Sequence, residues 1–220
     1  IDGVRLHSGK RFTYKHNDIE SMEKNLQRAT KLATEQGGGI LFITEGVFGM
    51  RGQQGKLKEV VEMKKKYNFR LLVDDAHGFG TLGKTGAGAG EEQGCQDGID
   101  IYFSTFAKSM ANIGAFVAAD KDVIDYLKYN LRSQMFAKAL PMIQTIGSLK
   151  RLELLRNSSE IKDKLWENVN ALQSGLKEKG FNIGDTNTCI TPVYLEGSIP
   201  EAMIMVNDLR ENYGIFLSIV

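Results

Sequence analysis

The sequence predicts an α/β protein whose mainly parallel sheet is covered by helices on both faces. Three observations lead there. Apolar runs of strand length recur within residues 40–44, 70–74, 99–104 and 114–118, and continuous apolarity marks strands buried on both sides. Amphipathic helical stretches alternate with them, the pattern of a parallel sheet. The balance of 42% hydrophobic and 25% charged residues in 220 suits a soluble globular chain with one good core, or one core and part of another.

Taken in order, residues 17–33 form the first predicted helix. Asn17 and Glu20 fit a capping box, Ile19, Met22, Leu26, Ala29 and Leu32 recur at helical spacing, and Gly37 to Gly39 stop it. The strand at 40–44 leads into a polar, glycine-bearing loop over 45–55. Residues 57–67 read as an amphipathic helix with Leu57, Val60, Val61 and Met63 on its apolar side. The strand at 70–74 precedes a glycine-rich loop over 78–98, then the strands at 99–104 and 114–118. Helices follow at 121–131, 140–156 and 160–179. Beyond Gly180 the pattern changes to strand-like 190–195, helical 200–212 and strand-like 215–220. We therefore expect a large domain over 1–158 and the start of a smaller α+β domain over 159–220. An opening without Met and a close on an apolar strand-like run suggest cuts within a longer chain.

Composition also excludes several classes of function. A formal net charge of +1 and the absence of a polybasic run give no basis for binding nucleic acid or an anionic membrane. No apolar run is long enough for a transmembrane segment, and no signal peptide is evident. Cys95 and Cys189 are far apart with no metal-ligand spacing, which suits a reduced, cytoplasmic protein. Three histidines leave little material for a metal site.

Ligands of open α/β sheets gather at the carboxyl ends of the strands. Two such ends are unusual. One reads Val73-Asp74-Asp75-Ala76-His77-Gly78; the other reads Ser104-Thr105-Phe106-Ala107-Lys108-Ser109. Pyridoxal phosphate (PLP) chemistry needs these residue types. A lysine amine forms a Schiff base with the cofactor aldehyde, a carboxylate keeps the pyridine nitrogen protonated, a polar donor meets the ring hydroxyl, and small or hydroxylated residues approach the phosphate. Lys108, Asp74, His77, Thr105 and Ser104 could fill those roles. Each also has a plainer explanation: a lysine after a strand is usually solvated, paired aspartates can end a strand, and a loop histidine can simply be hydrogen-bonded.

The segment from Val73 to Gly80, running on to Gly83, Gly86 and Gly88, resembles the V-D-E/D-A-H-S/G-x-G motif of the α-oxoamine synthases, PLP enzymes of fold type I (aspartate aminotransferase-like). Thr105-Phe106-Ala107-Lys108-Ser109 resembles their lysine motif T-F-S-K-S/A, and the stretch from Thr44 to Gly52 resembles T/D-D/E-G-V-F-S-M-D/E-G. The family includes serine palmitoyltransferase, 2-amino-3-ketobutyrate CoA ligase, 8-amino-7-oxononanoate synthase and 5-aminolevulinate synthase. The resemblance implies a decarboxylative condensation of an amino acid with an acyl-CoA, in a homodimer. It implies that Lys108 binds the cofactor covalently, Asp74 pairs with the pyridine nitrogen, His77 bonds the ring hydroxyl and Thr105 reaches the phosphate. Ile1-Asp2-Gly3 matches the family piece that normally follows the stacking histidine, which would precede this sequence.

Departures are equally plain. Gly49 stands where the family has Ser, Arg51 where it has an acid, and Ala137 and Lys138 where small hydroxyl residues are usual. The segment 122–136 and the lysine motif favour the serine palmitoyltransferase branch, hence L-serine or a close polar amino acid with a long-chain acyl-CoA, while residues 1–6 and 165–168 also suit 2-amino-3-ketobutyrate CoA ligase, which with 8-amino-7-oxononanoate synthase is the alternative. A rival is the P-loop pattern Gly78-Phe79-Gly80-Thr81-Leu82-Gly83-Lys84-Thr85 of nucleotide hydrolases. Gly86, Gly88 and Gly90 oppose the helix such a loop must open, at about 1 kcal/mol each, and Asp74 and Asp75 precede it.

Overall fold

The computed structural model describes residues 2–220; Ile1, part of the Ile1-Asp2-Gly3 match, lies outside them. The elements are α1 (Asp2–Leu6), α2 (Ile19–Gln36), β1 (Leu41–Glu45), β2 (Val47–Phe48), β3 (Gln53–Gln54), α3 (Leu57–Met63), β4 (Arg70–Asp74), α4 (Ala89–Glu92), a 3₁₀ turn at Gln96–Gly98, β5 (Ile101–Thr105), β6 (Ala115–Ala119), α5 (Lys121–Asn130), α6 (Arg132–Met135), α7 (Met142–Asn157), α8 (Glu160–Glu178) and α9 (Ile199–Tyr213).

The main sheet runs β1-β4-β5-β6, and β2 and β3 form a separate small hairpin. The pairs β1–β4 and β4–β5 are parallel and β5–β6 is antiparallel, so the mixed, mainly parallel sheet is as expected. Side chains alternate across a strand, and the register assigns each to a face. Phe42, Thr44, Leu71, Val73, Tyr102 and Ser104 share one face. Leu41, Ile43, Glu45, Leu72, Asp74, Phe103 and Thr105 share the other. The first face carries the core, where Phe42, Leu71 and Val73 bury against Met22, Leu26, Leu57, Val60 and Met63. On the second face Leu41 and Ile43 are exposed.

Several local expectations are corrected. Helix α2 is capped by Asp18, whose carboxylate accepts the Ser21 N–H, and not by Asn17, which sits at φ 50. The shift is one residue: Asp18 and Ser21 offer the same cap three apart that Asn17 and Glu20 do. The regular part of α3 ends at Met63, after which the amides of Lys64, Lys65 and Lys66 bond three residues back and tighten the turn. The runs at 190–195 and 215–220 form no strand among the described residues. A ladder needs a partner, and in the first run the Tyr194 N–H reaches only the Asn182 carbonyl.

The segments after residue 159 bond directly to the sheet's loops. Trp166 Nε1 donates to the Thr81 carbonyl at 2.8 Å, and Lys162 Nζ to the carbonyls of Gly83 and Lys84. Thr186 and Thr188 hydroxyls both donate to the Gly52 carbonyl at 2.9 Å.

Candidate active site

The site forms where β1, β4 and β5 end. Alternation divides the two adjacent aspartates. Asp74, the last residue of β4, lies half-buried on the open face, opposite Glu45 on one side and Phe103 on the other. Its Oδ1 accepts the Ala76 N–H at 3.1 Å, which turns the chain back under it. Asp75 points the other way and is fully buried. Its Oδ2 accepts from Ala89 N–H (2.8 Å) and Tyr102 Oη (3.0 Å), while Oδ1 has no partner. Burial pushes its carboxyl up to about 6, against those two hydrogen bonds and with help from the Asp74 charge. The same burial, reinforced by Asp75, raises the Tyr102 hydroxyl. Asp75 is thus a strut for the glycine-rich loop. A Cβ on Gly46, Gly78 or Gly88 would fall within 2.2 Å of its carboxylate oxygens, which is why those positions carry none.

His77 is half-buried, and its Nε2 would lie 2.4 Å from a Cβ on Gly49. The missing side chain at Gly49 therefore makes room for the imidazole. Desolvation lowers the His77 pKa, the Lys108 charge lowers it further, and Asp74 opposes both. The ring is accordingly neutral near pH 7, with one donor and one acceptor nitrogen.

Lys108 is exposed in a loop held at three points. Ser109 Oγ donates to the Phe79 carbonyl at 2.7 Å, Met110 is buried, and Asn112 Nδ2 bonds the Gln144 carbonyl and Ser148 Oγ of α7. The lysine loop is thereby tied to the glycine-rich loop that carries His77. Thr105 lies on the Asp74 face, its hydroxyl donating to the Gly114 carbonyl and accepting the Ala107 N–H. Ser104 does not join them. It is fully buried on the opposite face, and its hydroxyl donates to the Asp75 carbonyl at 3.3 Å. The expectation that Ser104 reaches a cofactor is corrected by strand alternation.

Glu45 is a member that the sequence did not single out. It pairs across the sheet with Asp74. Desolvation and then the Asp74 charge raise its pKa, opposed by the Gly49 N–H and by Lys108. Its place in the Thr44-to-Gly52 motif was the available signal. Among the described residues no His, Cys, Asp and Glu cluster could hold a metal ion. The P-loop alternative fails on its donors. The Thr85 and Ala87 N–H groups are taken by the Glu91 carboxylate and the Gly83 N–H by Glu92, so the loop is filled by the protein's own acids. The short α4 starts only at Ala89.

A primary amine, a carboxylate, a neutral imidazole and a hydroxyl thus converge on one sheet edge. The family model for aminotransferase class I and II matches residues 1–219. The chain belongs to this family. It is 74% identical over 220 residues to a cysteate-C-fatty acyltransferase of Capnocytophaga ochracea, covering 100% of this chain and 52% of that protein. It is 36% identical over 218 residues to a serine palmitoyltransferase of Sphingobacterium spiritivorum, covering 99% and 53%. A solved serine palmitoyltransferase of S. paucimobilis with a bound PLP–myriocin aldimine superposes with a TM-score of 0.89 at 31% identity, over 99% of this chain and 55% of that one. The chain spans about half the length of the curated relatives it matches. The fold type I architecture and the resemblance to α-oxoamine synthases are as the sequence implied. No described helix is long and apolar enough to cross a membrane.

Proposed function

We propose that the protein is a PLP-dependent C-acyltransferase that condenses a small polar amino acid with a long-chain acyl-CoA, releasing CO2 and CoA. The observation that carries this reading is the meeting of Asp74, His77 and Lys108 at one sheet edge while Asp75 is turned into the core. The donor set fits the cofactor: an amine for its aldehyde, a carboxylate for its ring nitrogen and a neutral imidazole for its ring hydroxyl. When bound, PLP supplies an electron sink for the substrate's α-carbon.

The chain's own residues do the rest. Asp74 would face the pyridine nitrogen and keep it protonated. His77, neutral because it is partly desolvated beside Lys108, donates a hydrogen bond without adding a charge. Lys108 would hold the cofactor aldehyde, and its amine, once free, would serve as the base for the substrate's α-proton. Thr105, whose hydroxyl bonds the Gly114 carbonyl and the Ala107 N–H, would lie at the phosphate end.

For the amino acid we favour L-cysteate, following the relative at 74% identity, over the L-serine that the sequence motifs favoured and that the 36% relative uses by name. A homodimer completes the reading, with 1–158 as the cofactor domain and 159–220 beginning a second domain. It is supported by the exposed large apolar residues Tyr129, Phe136, Met142, Ile143 and Ile146 along α5 to α7, since exposed apolar patches mark interaction surfaces.

The test is CoA release by the full-length, PLP-loaded protein with a panel of amino acids and acyl chains. Each buried methylene contributes roughly 0.8 kcal/mol, so catalytic efficiency should climb steeply from acetyl- to palmitoyl-CoA. A flat chain-length profile with glycine preferred would move the protein to a short-chain synthase such as 2-amino-3-ketobutyrate CoA ligase.

A further inference from the structure

The turn joining β2 to β3 carries a charge that nothing else in the described fold uses. It is pinned on both sides. At one end the Gly46 N–H donates to the Asp74 carbonyl at 2.8 Å, and Gly49 packs so closely on the His77 ring that a Cβ there would lie 2.4 Å from Nε2. At the other, the Gly52 carbonyl accepts from Asn187 N–H at 3.1 Å and from the Thr186 and Thr188 hydroxyls at 2.9 Å. Within the turn, Arg51 N–H and Gly52 N–H both donate to the Phe48 carbonyl, at 3.1 and 2.9 Å. Arg51 is exposed, and its guanidinium has no hydrogen bond, ion pair or ring contact among the described residues.

A free arginine on a rigid turn is a binding group in waiting, because its planar fork is always charged and matches a tetrahedral or planar oxyanion through two donors. Its place restricts what it can meet. Arg51 lies two residues from Gly49, so its Cα is within about 7.6 Å of the backbone that touches His77, and its long side chain can span that gap. The local charge points the same way. Glu45 and Asp74 stand together at the sheet edge, and an anionic ligand group entering beside them is repelled unless a cation meets it. Lys108 is engaged with the cofactor in the proposed function and is not free for that task.

We propose that Arg51 determines amino-acid specificity by receiving the side-chain anion of an acidic substrate, the sulfonate in the case of L-cysteate. The inference rests on the acyltransferase reading and deepens it.

Steady-state kinetics of full-length, PLP-loaded wild type, R51Q and R51K with palmitoyl-CoA, on L-cysteate and on L-serine, test it. One charge-assisted contact corresponds to a change of about tenfold to a hundredfold. R51Q should lose that much kcat/KM for cysteate, mainly through KM, and far less for serine. R51K should fall between. Added salt should raise the cysteate KM of wild type more than that of R51Q. An unchanged cofactor absorbance spectrum in R51Q shows that the site itself is intact. Equal losses on both amino acids, or serine turnover by wild type without cysteate turnover, overturn the inference and leave the acyltransferase reading standing. Absence of CoA release with any amino acid overturns both.

Discussion

Gly88→Ala offers a direct measure of how tightly the site's platform is built. Gly88 has φ +104 and ψ −162, a region open essentially to glycine, and forcing alanine there costs about 1–3 kcal/mol. The added methyl would lie 1.9 Å from Asp75 Oδ2 and 2.8 Å from Tyr102 Oη. The carboxylate must move, and the Ala89 N–H and Tyr102 hydroxyl lose their buried acceptor, at about 1–3 kcal/mol each. The expected destabilisation is about 3–9 kcal/mol, a large share of the roughly 5–15 kcal/mol that holds a typical domain together. Gly94→Ala is the control. Gly94 also has positive φ, +64, but nothing lies within 4 Å of the new methyl, so only the backbone cost of about 1–2 kcal/mol remains. Urea unfolding of the full-length protein should place Gly88→Ala at least about 2 kcal/mol below Gly94→Ala. Equal effects would mean that the buried Asp75 cage does not support the loop.

The two aspartates should separate in function. Asp74→Asn should retain the cofactor yet lose roughly a hundredfold or more in turnover, equivalent to about 2.7 kcal/mol of barrier, whereas Asp75→Asn should act chiefly on stability; the reverse ranking in steady-state assays would refute the strand register. Asp75 also predicts a pH effect. Its folded pKa of about 6 stands above the ordinary 3.8, so the folded state holds the proton more tightly, and stability falls by about 3 kcal/mol as pH rises from about 4 to 6, then levels. Urea midpoints at pH 4 and pH 7 should show this decline lessened in Asp75→Asn relative to wild type; identical pH profiles would refute it. Ser104→Ala should leave cofactor occupancy unchanged and cost about 1 kcal/mol for its buried hydrogen bond; loss of cofactor by absorbance would restore Ser104 to the site.

Much of this was legible before any coordinates. The motifs at 73–80 and 105–109 are sharp because chemistry constrains consecutive residues there; strand alternation sends Asp74 and Asp75 to opposite faces, and the family resemblance selects Asp74. The same alternation separates Ser104 from Thr105, and applying it would have removed Ser104 from the site. Glu45 was harder to see. Its nearness to Asp74 depends on the pairing of β1 with β4 across the intervening hairpin and α3, a long-range contact that no local pattern encodes. The helix cap moved by one residue because Asn17 and Asp18 both satisfy the local rule, and only backbone conformation decides between them. The apolar runs near the end have strand composition, yet composition supplies no neighbouring strand, and among the described residues neither run forms a ladder.

The role of Lys108 is tested most directly by where the cofactor attaches. Borohydride reduction of the full-length, PLP-loaded protein followed by peptide mapping should find the pyridoxyl label on Lys108 and nowhere else in this chain, and Lys108→Ala should abolish labelling. A label on Lys84 or Lys138, with Lys108 unmodified, would contradict the assignment and with it the geometry of the proposed site.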